Sequence, residues 1–268
     1  MRLAGLVVHP LKSAAGIPVA EAEVTRTGLR HDRRWMIVDA TDRFVSQRED
    51  PRLGRITPSL DEERLRLEVP GAPPLELPLA PADGETVRVR IWSDEVEARS
   101  CGPEADAWTR ALLGEGHRLV VLADDDARPV DPAYARDDDR VSFADGYPFL
   151  LTTNASLNEL NRRAGTSLEM ARFRPNLIVD GAEPFAEDGW AQVRIGELSF
   201  RVVKPCVRCI VTTLDPATGE AGREPLQTLA TFRKAEKGVT FGQNLLADGL
   251  GVLRVGDAVE AAPPEATD

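Results

Sequence analysis

The stretch VRIGELSFRVVKPCVRC, residues 193–209, carries the strongest structural and chemical signals in this chain. Two runs with alternating apolar residues flank Gly196 and Glu197, a two-residue loop with glycine at its first position. This pattern predicts a β-hairpin, because such a turn matches the twist of paired strands. The second strand leads directly to Cys206, so the sequence predicts a thiol fixed at the end of a strand.

The neighbours of Cys206 give it a reactive setting. Pro205 lacks an amide hydrogen, so we expect it to end the ladder pairing and stiffen the approach to the thiol. Lys204 and Arg208 place positive charge on both sides. Nearby positive charge favours the thiolate, which is the form that attacks electrophiles or binds metals. The hairpin is therefore predicted to hold a reactive sulfur still.

Composition limits the class of protein. The 268 residues, 42% of them hydrophobic, suffice for one large domain or two small ones with a real core. A net charge of -11 argues against general binding to nucleic acid or anionic membranes. No run approaches the roughly 18 apolar residues of a membrane span, and the N-terminal apolar run is too short for a secretory signal. Three cysteines, an odd number, do not form a disulfide framework in a chain of this length, which fits a reducing compartment. We therefore expect a cytoplasmic protein.

Charge is unevenly distributed along the chain. Acidic residues cluster at 124–126 and 137–139, whereas arginines cluster at 30–34 and 172–174. Against an acidic background, the basic clusters suit a local anion site better than a broad polyanion surface. The alternative for each arginine taken singly is a surface charge with a carboxylate partner.

Strand patterns dominate, and we predict an α+β fold in which β structure prevails. Period-two alternation predicts half-buried strands at 64–69 and 87–92. A helix is predicted from Pro103 to Gly114, because proline suits the first turn and glycine the end.

The chain divides at residues 123–140, which are rich in Asp, Pro and Ala without apolar periodicity. We predict an acidic linker there, between a first unit at 1–122 and a second at 141–262, with a frayed tail at 263–268.

The second unit carries clear helix signals. Residues 154–165 predict a helix with Ser156 and Glu159 as a capping box and Gly165 as terminator. A shorter helix is predicted at 225–233, and a last hairpin at 253–259.

Cys206 and Cys209 form a C-x-x-C pair, which is typical of thioredoxin-like redox centres and of half zinc sites. A redox pair should open a helix, but residues 210–214 are β-branched and predict a strand. A zinc site needs two more ligands, and neither Cys101 nor the three histidines have ligand spacing. We therefore disfavour both sites and interpret Cys209 and Cys101 as packing residues.

Other reaction classes lack their motifs. There is no nucleophile elbow, Walker A loop or dinucleotide-binding glycine motif. A Cys–His enzyme needs a histidine serving Cys206, and no signature links any histidine to it. A phosphate site remains: backbone amides at the helix start, 153–155, completed by Lys12 and Ser13 together with Arg172 and Arg174.

A thiolate for a transition metal combined with a phosphate site describes a cofactor with both features, and molybdenum held by a pterin phosphate is one example. At these residues the chain also resembles a known family. It is similar to the MOSC-domain proteins with an N-terminal MOSC-type β-barrel domain, such as bacterial YcbX-like proteins and the mitochondrial amidoxime-reducing component. The resemblance covers almost the whole length through blocks in the right order: 8–13, 28–39, 47–53, 171–177, 185–190, 204–209 and 212–216. It implies that residues 1–122 form the N-terminal MOSC-type β-barrel domain and residues 141–262 a MOSC β-barrel domain with short helices.

The resemblance also implies a molybdenum cofactor (molybdopterin) between the two domains. Cys206 would be the catalytic residue and the metal ligand. Carried over by position, the residues that would bind the pterin and its phosphate are Lys12, Ser13, Arg33, Arg174, Thr153 and Ser156. The alternative for Arg174 is an ion pair with Glu187 or Asp188.

Two carboxylates near these positions have expected supporting roles. We expect Asp32 to orient Arg33 rather than act as an acid. Asp188 is expected to steer an arginine or the substrate without being catalytic.

The implied activity is molybdenum-dependent reduction of small N-hydroxylated compounds: amidoximes, hydroxylamines and N-hydroxylated bases. No cysteine follows Cys209, so the chain cannot hold its own iron–sulfur cluster. Electrons are therefore expected from a separate flavoprotein reductase or ferredoxin-like protein.

Two alternatives remain open. One is a carrier that binds molybdenum cofactor or its sulfur without turning over a substrate. The family is also associated with pyridoxal phosphate binding, but no sulfurase domain accompanies this chain. The other is a metal-free transferase that uses the Cys206 thiol.

Overall fold

The structure, a computed structural model, describes residues 1–80, 84–122 and 127–264. The acidic cluster at 124–126 and the end of the predicted tail lie outside these residues. Strands outnumber helices, with 21 strands and three α-helices in the described part. The predicted α+β class with dominant β structure is confirmed.

The first half of the chain contributes eleven strands and one helix. They are β1 (Arg2–Val8), β2 (Ile17–Val19), β3 (Glu21–Thr25), β4 (Gly28–Leu29), β5 (Trp35–Val38), β6 (Thr57–Leu60), β7 (Arg64–Glu68), β8 (Leu75–Pro78), β9 (Thr86–Ile91), β10 (Asp94–Ser100), α1 (Pro103–Leu113) and β11 (Arg118–Leu122). Strands β7 and β9 lie where the alternation predicted them, with alternate residues buried. Helix α1 begins at Pro103 as predicted.

The second half adds ten short or long strands and two helices. They are β12 (Arg128–Pro129), β13 (Arg140–Val141), β14 (Phe149–Thr153), α2 (Asn154–Ala164), β15 (Leu177–Asp180), β16 (Gln192–Ile195), β17 (Leu198–Val207), α3 (Leu226–Phe232), β18 (Lys234–Ala235), β19 (Gly238–Ala247), β20 (Gly251–Arg254) and β21 (Val259–Ala262). Within the described ranges, none of the helices is long and apolar enough to cross a membrane.

The largest sheet has the order β2-β1-β15-β14-β19-β17-β16-β21, with β18 paired to β19. Its core packs Leu3 and Leu6 of β1 against Phe149, Phe200 and Leu245. The first two strands thus join the sheet built from the second half of the chain. The two halves are therefore interlocked, which places their loops side by side.

Strands β5 to β11 form a separate core, whereas β3 and β4 pair with β20. The sheet β5-β11-β10-β9 and the sheet β6-β7-β8 lie around Trp35, Leu65 and Leu119, and α1 covers this core with Ala105 and Trp108. Because this core and the large sheet are joined through the loop after β1, that loop lies at their junction.

The predicted hairpin around Gly196 is confirmed. Ile195 pairs with Leu198, and Gly196 adopts φ 57°, a left-handed conformation that favours glycine. The expectation that Pro205 ends the pairing is wrong, because β17 continues to Val207. The register against β19 instead shifts on both sides of Pro205, which accommodates a residue without an amide hydrogen.

Two other strand predictions are wrong. Residues 253–259 do not form a hairpin with each other, since β20 pairs with β3 and β21 pairs with β16. Residues 210–213 form a short 3-10 helix rather than a strand. In both cases the local pattern identified apolar residues but not the partner that they pack against.

The segment predicted as a linker is partly folded. Arg128 is buried, pairs with Asp94 at 2.6 Å and donates to the Ser142 carbonyl at 3.1 Å. Strand β12 lies within this segment and pairs with β13, which begins at its last residue. The domain boundaries themselves stay a prediction.

The helix start at residue 154 is capped differently from the prediction. Thr153 is the N-cap, and its hydroxyl accepts from the Ser156 amide at 3.1 Å. Glu159, the predicted second member of a capping box, instead pairs with Arg162 and Arg163 on the exposed face. Gly165 terminates the helix with φ 66°, as predicted.

Candidate functional site

A cavity lies at the end of β17, where loops of the two halves meet; we call it the Cys206 cavity. Of its lining residues in the described part, one, Asp145, is a carboxylate and six are cations: Lys12, Arg33, Arg48, Arg172, Arg174 and Arg208. Ser13, Cys206 and Cys209 line it as well. An excess of cations around one cavity in an acidic protein favours an anionic ligand.

Lys12 reaches the cavity from the loop after β1. Its side chain is buried, and Nζ donates to the Phe143 carbonyl at 2.8 Å and to the Asp145 carboxylate. Burial lowers the pKa of Lys12, and Asp145 opposes this. Desolvation raises the pKa of Asp145, but Lys12 and Arg48 outweigh it and hold that pKa well below the usual range. The Asp145 carboxyl group is therefore ionised at neutral pH.

Ser13 follows Lys12 with φ 70°, a left-handed conformation that is uncommon outside glycine. Its carbonyl accepts from Gln47 Nε2 at 2.5 Å. The strained loop is thus tied to a second loop of the first half, and such strain is often found at ligand sites.

Arg33 is held by a buried network. Its Nη1 donates to Asp32 at 2.6 Å and to the Asn176 side-chain oxygen at 3.0 Å, and Nη2 donates to the Arg174 carbonyl at 3.1 Å. Asp32 also accepts from the His9 amide and from Asn176. The expectation that Asp32 orients Arg33 is confirmed.

Arg174 also has a left-handed backbone, φ 55°, at the end of the 3-10 helix Met170–Phe173. Its guanidinium donates to the Ala14 carbonyl. Burial, with Arg33 nearby, lowers the pKa of Arg174 to about 9, so the group stays charged at neutral pH. Arg33 is already paired with Asp32, whereas the Arg174 guanidinium has only a carbonyl partner among the described residues, so its charge favours an anionic ligand.

The alternative ion pairs for Arg174 are absent from the described structure. Glu187 bonds Thr153 and Ser156, while Asp188 bonds Arg233 and Gln243.

Arg172 is used differently from Arg174. It donates to the Leu214 carbonyl at 2.7 Å and to Asp215 at 2.8 Å. It therefore holds the loop after the 3-10 helix at 210–213 as well as lining the cavity.

Arg208 fixes the sulfur of Cys206. Its Nη1 lies 2.8 Å from Cys206 Sγ, and its Nη2 donates to the Phe173 carbonyl at 2.7 Å. Lys204 does not share this role, because its ammonium lies 4.5 Å from the centre of the Tyr134 ring and 5.8 Å from that of Tyr147. The aromatic faces attract the ammonium. Of the two flanking cations, the structure places Arg208 against the thiol.

The other two cysteines differ from each other. Cys209 is exposed, lines the cavity and precedes the 3-10 helix, so its interpretation as a packing residue is wrong. Cys101 packs against the first-half core, and burial raises its pKa to about 12, which agrees with a structural role. Among the described residues that line the cavity there is no histidine to serve as a base for Cys206.

Thr153 and Ser156 do not reach the cavity. Both are fully buried, and the Ser156 hydroxyl lies 2.7 Å from Glu187 Oε1 and from the Phe185 amide nitrogen. The hydroxyls that were predicted to help bind a phosphate instead donate to the chain's own Glu187. Burial raises the pKa of Glu187, and the two hydroxyls oppose that rise. These two hydroxyls therefore have partners within the protein.

Several lining residues were not predicted from the sequence. Asn176, Gln47 and Arg48 lie in blocks that carry the family resemblance, which is the signal that pointed to them. Asp145 and Tyr147 lie in the loop before β14, where the sequence offers only a turn pattern.

The cavity has polar groups that lack partners. In the described part of the chain, buried side-chain atoms without a hydrogen bond include Tyr147 Oη, Arg172 Nε and Arg208 Nε. All three belong to lining residues. Because buried polar atoms are nearly always paired in native proteins, these three donors suit a polar ligand.

Comparison with known proteins identifies both halves of the chain. The family described as MOSC N-terminal beta barrel domain matches residues 1–116, and the family described as MOSC domain matches residues 138–260. Among solved structures, the YUAD protein from Bacillus subtilis covers 98% of this chain and 96% of its own, at 10% identity and a TM-score of 0.47.

Curated relatives match over nearly the whole length. Mitochondrial amidoxime-reducing component 1 from Homo sapiens is 34% identical, covering 96% of this chain and 82% of the relative. The Danio rerio protein of the same name is 35% identical, covering 95% of this chain and 82% of the relative. Mitochondrial amidoxime reducing component 2 from Rattus norvegicus is 35% identical, covering 94% of this chain and 80% of the relative. With this identity and coverage, the chain belongs to the family of MOSC proteins with an N-terminal beta barrel domain that includes the mitochondrial amidoxime-reducing components.

Proposed function

We propose that this protein reduces N-hydroxylated compounds, such as amidoximes, hydroxylamines and N-hydroxylated bases, with a molybdenum cofactor held in the Cys206 cavity. The names of its relatives support the reaction, since they are amidoxime-reducing components. One structural observation carries the proposal: a sulfur fixed by Arg208 lies in a cavity lined by six cations and one carboxylate.

The residues present fit molybdopterin. A thiolate is a soft ligand that suits a transition metal. Arginine binds phosphate with two donors of its planar guanidinium, and lysine binds it as a point charge. The unpartnered polar atoms of Tyr147, Arg172 and Arg208 fit a polar ligand. No group of three or more His, Cys, Asp or Glu in the described ranges is placed to hold a metal. A metal here would therefore take most of its ligands from its cofactor.

In this proposal Cys206 is the metal ligand and the catalytic residue. Lys12, Ser13, Arg33 and Arg174 hold the pterin and its phosphate. Thr153 and Ser156 are left out, because Glu187 already satisfies them.

The bound cofactor would supply a two-electron reduction, and the protein orients the groups around it. Arg208 holds the sulfur in place, and the Asp32–Asn176 network keeps Arg33 pointed at the cavity. Reduction of an N-hydroxyl group to N–H and water consumes two protons. Asp145 stays ionised at neutral pH because of Lys12, so it is not their source. We assign these protons to solvent.

Electrons would come from a separate flavoprotein reductase or ferredoxin-like protein, since no group of three or more Cys, His, Asp or Glu in the described ranges is placed to hold a metal cluster. A cytoplasmic location is part of the same proposal, although the names of the relatives place those proteins in mitochondria.

The test is turnover of benzamidoxime by purified protein from a host that makes molybdenum cofactor, with dithionite-reduced viologen as electron source. We expect molybdenum near one atom per chain, benzamidine as product, and no turnover with NADH alone. Molybdenum without turnover would favour the carrier function. Absence of molybdenum together with labelling of Cys206 would favour the thiol transferase, and direct NADH turnover would contradict a separate donor.

A further inference from the structure

The loop between β9 and β10 contains an unusual residue. Ile91 pairs with Asp94, which leaves Trp92 and Ser93 as a two-residue hairpin loop. Trp92 has φ 55°, and this loop position favours glycine or asparagine because a large side chain is strained there. The side chain is also 47% exposed, so the free energy gained by burying it is too small to offset the backbone strain. Strained residues of this kind are often retained for function.

Trp92 is connected to the Cys206 cavity through two side chains. The Arg48 guanidinium lies 4.7 Å from the centre of its ring, and the Phe44 ring packs edge-on at 4.8 Å. Beyond Phe44, the Lys12 ammonium lies 5.1 Å from the ring centre. Arg48 and Lys12 both line the cavity. A continuous row of aromatic and cationic groups therefore runs from an exposed indole to the cavity.

The Arg48 side chain keeps part of its surface open. It is 27% exposed, and its carboxylate partner Asp145 lies 3.8 Å away, too far for a good hydrogen bond. A guanidinium plane and an indole ring both stack well on flat aromatic groups. Phe44 is already buried, so covering it does not require a residue as large as tryptophan.

The geometry points to Trp92 and Arg48 as a platform that binds the aromatic body of the substrate. This inference rests on the proposed function and narrows it. N-hydroxylated compounds with a planar aromatic group would be preferred over aliphatic compounds with the same reacting group. Trp92 is a specificity residue in this scheme and takes no part in the reduction.

The test compares benzamidoxime with acetamidoxime, which share the amidoxime group and differ in the ring. The variant Trp92→Gly removes the indole and accepts φ 55° without strain, so the hairpin should still fold. Trp92→Phe keeps an aromatic ring at the same place. With viologen as electron source, we expect Trp92→Gly to raise KM for benzamidoxime by about 5- to 10-fold. KM for acetamidoxime and kcat for both should change less than about twofold, and Trp92→Phe should restore most of the loss.

Calorimetric binding of benzamidoxime without reductant separates this inference from the proposed function. Weaker binding to Trp92→Gly, with acetamidoxime unaffected, supports the platform even if the wild-type protein turns neither compound over. Equal changes for both compounds, or no change for benzamidoxime, would overturn it. Thermal unfolding of each variant shows whether the hairpin is retained.

Discussion

The Cys206 cavity and the start of helix α2 are two polar regions that the sequence predicted to be one site. At α2, Thr153 and Ser156 are bonded to Glu187, and every one of these groups is buried. In the cavity, Arg33 and Arg174 share a space with one carboxylate, and Tyr147 Oη lacks a partner. The first region is complete within the protein, whereas the second needs a ligand.

This difference shows which polar residues to assign to function. Both regions combine polar donors with a carboxyl group, so the presence of polar residues alone does not separate them. What separates them is whether the chain supplies its own counter-charge. Changes in the cavity should therefore alter ligand content, and changes at α2 should alter stability.

The largest expected effect comes from the sulfur. Cys206→Ser removes the soft ligand, so viologen-driven benzamidoxime reduction should fall by about 100-fold or more, with a parallel loss of molybdenum. Steady-state rates and elemental analysis measure both. Cys209→Ser is the matched control, since Cys209 lines the same cavity. If Cys209→Ser lost molybdenum equally, the assignment of Cys206 rather than Cys209 as the metal ligand would be contradicted.

A smaller effect is expected from the cations. Arg174→Gln removes one charged donor from the cavity, so the affinity for the pterin should fall roughly tenfold. Less pterin should then be retained after dialysis. Arg233→Gln serves as control, because Arg233 already pairs with Asp188. Pterin released from each variant can be quantified by fluorescence. Equal losses in both variants would mean that the cavity charges act only on folding.

At α2 the expected effect is on stability. Ser156→Ala leaves the Phe185 amide and one Glu187 oxygen without a partner, which should cost about 1–3 kcal/mol in the free energy of unfolding. Urea denaturation measures this cost. Molybdenum content at saturating cofactor should not change. Loss of molybdenum at unchanged stability would show that Ser156 contributes to cofactor binding.

The smallest expected effect is a pH dependence from Glu187. Burial raises its pKa in the folded state, so its favourable contribution is present at acidic pH and is lost as pH rises through the folded value. Glu187→Gln stays neutral, so its stability relative to wild type should improve from pH 4 to pH 8, by an amount on the order of 1 kcal/mol. Urea unfolding across this range tests the sign. A constant difference would show that Glu187 does not titrate with folding.

Local patterns predicted much of the fold. The hairpin around Gly196, strands β7 and β9, and helices α1 and α2 follow from period, turn glycine and capping residues. Those rules depend on neighbours within a few residues. They failed where pairing is distant: β20 and β21 lie next to each other in sequence but pair with β3 and β16. Period-two alternation specifies a buried face but not the strand alongside.

The candidate site divides in the same way. The sequence by itself determined the elements: a thiol at the end of a strand, an arginine beside it, and the basic residues of the family blocks. Only the tertiary structure decided which of them meet. Arg33 contacts Asn176 across 143 positions, and Lys12 contacts the Phe143 carbonyl across 131. Glu187 accepts from the Ser156 hydroxyl, which was predicted to bind the cofactor. The physical reason is that a charge is satisfied by whatever group lies within hydrogen-bonding distance, and the fold sets that distance.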